Sequence, residues 1–219
     1  MNRFDPFGWF GHIVPPAWLY RIINACLFTV VLGFLIVRIG QYRSFFFKPL
    51  WAAETLLFAV LAIAFIMRSN PVGRSRGIRE IIVPLIGSFL PFGLLLTHPS
   101  PWIAGNRGLL TAVFIWMTLS TGFTVWGMWT LRRSFSITVE ARELVSAGPY
   151  RWVRHPIYIG EILSAVSVAV WRCSWLNVCI LTLFVITQLS RSYWEESKLK
   201  KIFPEYRNSL GRGLWFWKI

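Results

Sequence analysis

Charge is scarce in this chain, and acid is scarcer than base. Only 15% of the 219 residues are charged, with 9 Asp and Glu against 23 Lys and Arg, whereas soluble domains carry roughly 25% charged residues. Cysteine is nearly missing too. Cys26, Cys173 and Cys179 are odd in number and show no CxxC or Cys/His metal-ligand spacing, so neither a disulfide nor a metal site is expected. Cys26 and Cys179 fall in apolar runs, where a thiol behaves as a small hydrophobe. No GxSxG elbow, HExxH helix, P-loop or GxGxxG turn occurs. That removes sequence support for the enzyme classes built on those geometries. Internal repeats and low-complexity tracts are lacking as well.

What is abundant is apolar and aromatic surface. Hydrophobic residues make up 55% of the chain, with 18 Phe and 13 Trp, and the mean hydropathy is +0.54. The expected fold class is all-α: a polytopic membrane helix bundle of five to six membrane segments with a cytoplasmic C-terminal helix, forming one domain over 1–219. A spanning helix takes about 20 mostly apolar residues, and residues 18–37, 50–67, 81–96 and 109–131 fit. Glu54 lies one turn inside the second. Pro84 and Pro91 are expected to bend the third. Ser120, Gly122, Gly127 and the threonines of the fourth should admit a closely packed neighbour. Two shorter runs, 157–170 and 175–189, either cross with tilt or form a re-entrant hairpin, and Ala165 and Ala169 are a small-xxx-small pair on the first of them. Residues 1–17, rich in Phe, Trp and Pro, suit an interfacial segment rather than a cleavable signal, with His12 a surface histidine. The aromatic residues 214–219 read as an interfacial anchor.

The net charge is +14. Nucleic acid is not the expected partner, because basic residues of a membrane protein gather in cytoplasmic loops and face anionic lipid. With a cytoplasmic N-terminus and six crossings, 18 of the 23 Lys and Arg fall on the cytoplasmic side. The expected location is the cytoplasmic membrane. Residues 132–156 and the tail from Arg191 then share the cytoplasmic face, and the chain divides into N-terminal spans (1–130) and a functional half (131–219).

Chemistry concentrates in that half. Gly148, Pro149, Tyr150, Arg151, Trp152, Val153, Arg154, His155, Pro156, Ile157, Tyr158, Ile159 and Gly160 run consecutively. Pro156 fits a helix's first turn. His155 then lies at the positive end of the helix dipole, where with Arg151 and Arg154 it could hold a carboxylate or phosphate. The same residues would equally serve as a basic aromatic loop on the headgroups. Further on, Arg191, Glu195 and Glu196 belong to a helix running to about Ile202. Arg191 and Glu195 are i,i+4 partners for a surface ion pair, yet adjacent carboxylates at a membrane boundary are costly to desolvate and should face a cation or donors. Lys198, Lys200 and Lys201 suit headgroup contacts. Glu161, one turn inside the fifth apolar run, is a functional candidate by its depth. His98 carries no such weight.

Gly148-Pro149-Tyr150-Arg151 followed by Arg154-His155-Pro156-x-Tyr158-x-Gly160 resembles the signature of the isoprenylcysteine carboxyl methyltransferase family, much of which the phospholipid N-methyltransferases share. Its second half resembles Arg191, Glu195, Glu196, Phe203 and Tyr206, and residues 131–136 are similar to the stretch before the loop. The likeness covers about 131–207. Arg132 stands where relatives often have Gly, and Ser209 and Leu210 near where a second Tyr often follows. The resemblance implies S-adenosyl-L-methionine as cofactor. Gly148, Pro149, Tyr150, His155, Pro156, Tyr158, Gly160, Glu195 and Glu196 would bind it, and Arg191, Arg154 and Glu161 would take catalytic roles. It also implies a membrane lipid or lipidated acceptor, carrying either a carboxylate or an amine.

Methyl transfer needs alignment and exclusion of water more than it needs a nucleophile–base pair. A carboxylate acceptor requires no base, whereas an amine would call on Glu161, Glu195 or His155. The competing readings are a sterol-type membrane reductase, against which the Glu195–Glu196 pair argues, and a non-catalytic membrane protein in which Glu54 and Glu161 mark a polar path. The methyltransferase reading demands that the loop carrying His155 and the acidic pair Glu195–Glu196, some 41 residues further on, converge on one cavity.

Overall fold

The computed structural model describes residues 17–68 and 71–206. The N-terminal segment with His12, Ser209, Leu210 and the anchor at 214–219 lie outside the described residues. Seven α-helices follow in order: α1 (Ala17–Gly40), α2 (Lys48–Met67), α3 (Gly77–Phe89), α4 (Pro101–Ala104), α5 (Arg107–Leu131), α6 (Pro156–Trp171) and α7 (Trp175–Ile202). No strand occurs among the described residues, only a bridge between Gly73 and Ala141. Helices close all their backbone hydrogen bonds internally, which hydrocarbon demands. Local signals set their ends. Asn106 accepts from the Leu109 N–H at 3.1 Å to start α5, Ser174 accepts from the Asn177 N–H at 3.1 Å to start α7, and proline opens α2, α4 and α6.

Five segments are long and apolar enough to cross a membrane: Arg21–Gly40, Lys48–Met67, Gly77–Leu96, Arg107–Ser134 and Trp175–Ile202. The last is one continuous helix, so the apolar run 175–189 and the acidic pair share a single rigid rod. With 16 residues, α6 reaches roughly 24 Å at 1.5 Å per residue, short of a hydrocarbon core of about 30 Å. Pro84 stays inside α3, and Ser88 donates to its carbonyl at 2.9 Å. The helix instead tightens into a 3₁₀ segment at Leu90–Leu96, where Pro91 lacks the N–H that an α-turn needs. Arg132 ends α5 at φ +45°, with its guanidinium over Trp129. That left-handed backbone favours glycine, the residue the resemblance places there.

Small residues let α6 lie close on α5. A Cβ on Gly160 would fall 2.9 Å from the Ser120 carbonyl and collide with Thr124 Oγ1, and one on Gly127 would come within 2.9 Å of Ile157. Ser164 of α6 hydrogen-bonds Ser120 at 2.9 Å and Thr121 at 3.2 Å. Gly122 has no such role, since a Cβ there would meet nothing within 4 Å. Ala165 and Ala169 pack with Leu94 and Phe184.

Apart from the Ser164 contacts, the polar ties between elements gather toward the two ends. At one, buried Asn177 donates to the carbonyls of Leu94 (3.2 Å) and Arg172 (2.7 Å), pinning the α6–α7 turn to the end of α3. At the other, Glu140 accepts from Arg68 at 2.9 Å and Arg142 at 2.7 Å, which holds the long loop after α5 beneath α2. Lys198 is not a headgroup contact. It pairs with Glu80 and donates to the carbonyls of Arg74 (3.0 Å) and Val139 (2.8 Å), binding α7 to α3 and to the loop. We expect Gly160→Ala to destabilise the detergent-solubilised protein by about 1–3 kcal/mol through overpacking, and Gly122→Ala to leave the melting temperature unchanged.

Candidate active site

The loop before α6 is shaped to deliver its charged residues inward. Gly148 adopts φ +55°, and a Cβ there would strike the Thr130 side chain at 2.8 Å, so the 3₁₀ turn Gly148–Arg151 can lie directly on the end of α5. Pro149 is buried within that turn, and its carbonyl accepts from the N–H groups of Trp152 and Val153 at 3.1 Å. Trp152 meets Trp126 edge-on at 5.6 Å. The chain then passes through Arg154 and His155 into Pro156, which is buried at the first turn of α6.

Glu196 of α7 receives both side chains. It has no solvent exposure; its Oε2 accepts from Arg154 Nη1 at 3.1 Å, and its Oε1 is 3.0 Å from His155 Nε2. A carboxylate only accepts, so Nε2 carries the hydrogen. The imidazole lies parallel to the Tyr158 ring at 5.5 Å, and the Tyr158 hydroxyl donates to Glu195. Arg191, 4% exposed, holds its guanidinium 4.9 Å from the Tyr158 ring centroid and donates to Gln188 Oε1 and the Ile137 carbonyl, each at 2.9 Å. Gln188 in turn donates to Glu161. Arg191 and Glu195 thus meet through Tyr158, not as the i,i+4 ion pair that their spacing allows.

These groups border a cavity of about 500 Å³, within the range of roughly 300–1,000 Å³ usual for ligand sites. Tyr150, Arg154, His155, Tyr158, Glu161, Arg191 and Glu195 line it, with Glu140, Arg142 and Glu143 of the long loop. Gly148, Pro149, Pro156, Gly160 and Glu196 do not line it. They shape the turn, start α6, admit α5 and fix the two cationic side chains. Tyr206, seen in the sequence only as part of the second signature, also faces the cavity. Gln188 and the Ile137 carbonyl were missed; a glutamine three residues before Arg191 in an apolar run was the available signal. The contribution of α1, α2 and α3 to the walls had none.

Burial pushes the Tyr150 phenol well above its ordinary value, reinforced by the negative charges of Glu195 and Glu161. Tyr206 is raised by burial and by Glu196, with Arg154 opposing. Both stay protonated donors at neutral pH.

The comparisons with known proteins agree with this half of the chain. Residues 108–206 match the family model described as phospholipid methyltransferase, and the class so indicated is that of the membrane methyltransferases. The chain is also similar, at 28% identity over 108 residues, to the uncharacterized protein YpbQ of Bacillus subtilis (strain 168). That alignment takes in 48% of this chain and 60% of the relative. No solved structure matches.

Removing one partner of a buried ion pair strands the other, so Glu196→Ala should lower unfolding stability by about 3–5 kcal/mol. Chemical denaturation in mild detergent would measure this. The raised phenols hold protons more tightly in the folded chain, so their contribution is complete below the free-tyrosine value near 10 and is lost as pH rises above it. The alkaline fall in melting temperature should be shallower in Tyr206→Phe.

Proposed function

We propose that the chain is an integral membrane methyltransferase that uses S-adenosyl-L-methionine and methylates the carboxylate of a lipid-linked, isoprenylcysteine-type acceptor at the cytoplasmic face. The observation that carries this reading is the Arg191 guanidinium. It is buried against the cavity, and its Nε–H meets no acceptor in good hydrogen-bond geometry, with the Tyr158 side chain beside it. A buried donor left unmet is costly, and an acceptor's carboxylate would satisfy it with a charge-assisted bond. The match to the phospholipid methyltransferase family supports the reaction class.

The residues present suit the cofactor. Its ammonium and hydroxyl groups need acceptors, which Glu195 provides, and its carboxylate needs donors, which Tyr150 and Arg154 provide; all three line one cavity. Bound there, S-adenosyl-L-methionine supplies a methyl group already activated on a sulfonium. The protein's share is to align the acceptor and keep water out. Tyr158 packs its ring against both His155 and Arg191, Glu196 fixes His155 and Arg154, and Arg191 orients the acceptor carboxylate. Because that carboxylate is ionised at neutral pH, no residue need remove a proton.

A second reading, methylation of a lipid amine, is favoured by Glu161. Its carboxylate faces the same cavity and is held by Gln188, so it could take the proton that an amine must lose.

Calorimetry should show cofactor binding by the wild type and its loss in Glu195→Ala. Saturation by NADPH instead would overturn the methyltransferase reading. With a prenylcysteine analogue and methyl-tritiated cofactor, Arg191→Ala should lower kcat/KM by about thirtyfold, the worth of one hydrogen bond to a charged group. Glu161→Gln should spare that reaction. Selective loss of activity on an amine lipid in Glu161→Gln would decide for the second reading.

A further inference from the structure

The cavity does not end with the polar groups. His155, just before α6, and Val168 within it both line the cavity, so it follows that helix for roughly 20 Å at 1.5 Å per residue. Past Glu161 its walls are mostly apolar, formed by Leu27 and Phe34 of α1, Leu57 and Phe58 of α2, and Phe92 after α3, with a few hydroxyls such as Ser164. Phe34 stacks on Phe58 at 5.5 Å and on Phe92 at 5.3 Å, so aromatic rings bridge α1 to both neighbours at this level. The limb then meets charge. Arg38 and Glu54 line its far end and pair at 2.7 Å, with side chains only 20% and 24% exposed. Arg38 is further held by Gln41 at 3.3 Å and by the Phe45 ring at 4.8 Å, and its carbonyl accepts from Trp51 Nε1 at 2.7 Å.

We propose that the Arg38–Glu54 pair is a stop that sets the longest hydrocarbon tail the site accepts. The occupant of the limb is a single linear tail whose polar end lies at Arg191. The proposal depends on the methyltransferase reading only for what that polar end is. Each methylene buried in the apolar limb strengthens binding, by about fourfold at the usual transfer value. A tail long enough to press its terminal methyl on the ion pair must instead displace or desolvate two charges, which opposes further extension. The pair therefore determines specificity without touching the reacting atoms.

The test uses straight-chain alkanoates from decanoate to icosanoate, each with a terminal diazirine, photolysed with the full chain in lipid nanodiscs and mapped by mass spectrometry. We expect short probes to label the walls near Phe58 and one intermediate length to label residues beside Arg38 and Glu54. Longer probes should label at least tenfold less. The Arg38→Leu/Glu54→Leu double variant should admit the longer probes. The reversed pair, Arg38→Glu/Glu54→Arg, should restore the wild-type limit, and it covers the case in which the double leucine variant does not fold. Labelling that ignores length, or a limit unchanged in the double leucine variant, would overturn the proposal. Cofactor binding measured in the same preparations separates the two claims. A length limit that moves as expected without any cofactor binding supports the stop and sinks the methyltransferase reading.

Discussion

The Glu196 carboxylate, buried without exposure and clamped between Arg154 and His155, is the contact on which the rest of this structure depends. A lone carboxylate at such a depth would cost far more than the fold can spare. Its two partners come from the loop before α6, while Glu196 itself rides on α7. Satisfying it therefore forces that loop against the C-terminal half of α7 and fixes where the cavity opens. Tyr158, one turn into α6, is then brought to Glu195 and Arg191, and the polar end of the cavity assembles as a consequence of one charge needing company.

The same constraint runs through the bundle at lower stakes. Glu140 is shared by Arg68 and Arg142, Glu80 by Lys198, and Glu54 by Arg38. Arg68–Glu140, Lys198–Glu80 and Arg38–Glu54 each tie two separate elements together, whereas Arg142 steadies Glu140 within its own loop, and such pairs fix relative position more than they add stability. Between the charged ends, α5 and α6 meet through Gly160, Gly127 and the Ser120–Ser164 hydrogen bond, because close backbone packing replaces the hydrophobic drive that lipid removes. The outcome is a cavity with a polar end and an apolar limb continuous with it, the arrangement that the proposed methyl transfer to a lipid would use.

Much of the fold was readable in advance. Four of the long apolar runs are helices with bounds close to those expected, because a stretch of about 20 apolar residues has few other solutions in a bilayer. The charged helix to about Ile202 was readable as leaving the apolar run 175–189, but that the two form one unbroken rod over 175–202 took the structure to show, since the change from apolar to polar sequence at Arg191 carries no sign of whether the helix breaks there. Nor was the anchoring of half-buried Lys198 readable, for its partners Glu80 and Val139 lie more than fifty residues away. Of the site, the loop from Gly148 to Gly160 and the pair at Glu195 and Glu196 stood out by their crowding of charge beside apolar runs. Gln188 did not, as a single amide in an apolar run is as compatible with a helix contact as with a site.

The sequence by itself determined the class of fold and the residues available for chemistry. Hydropathy and the demand for internal backbone hydrogen bonding are local properties, and the charged motif is contiguous. Tertiary structure decided which of those residues face the cavity and which only support it. That division separates Tyr158 from Gly160 and Glu195 from Glu196, neighbours whose sequence context is alike. Helical rotation of about 100° per residue sends adjacent side chains to different surroundings, and only the packing of α5, α6 and α7 against one another fixes what those surroundings are.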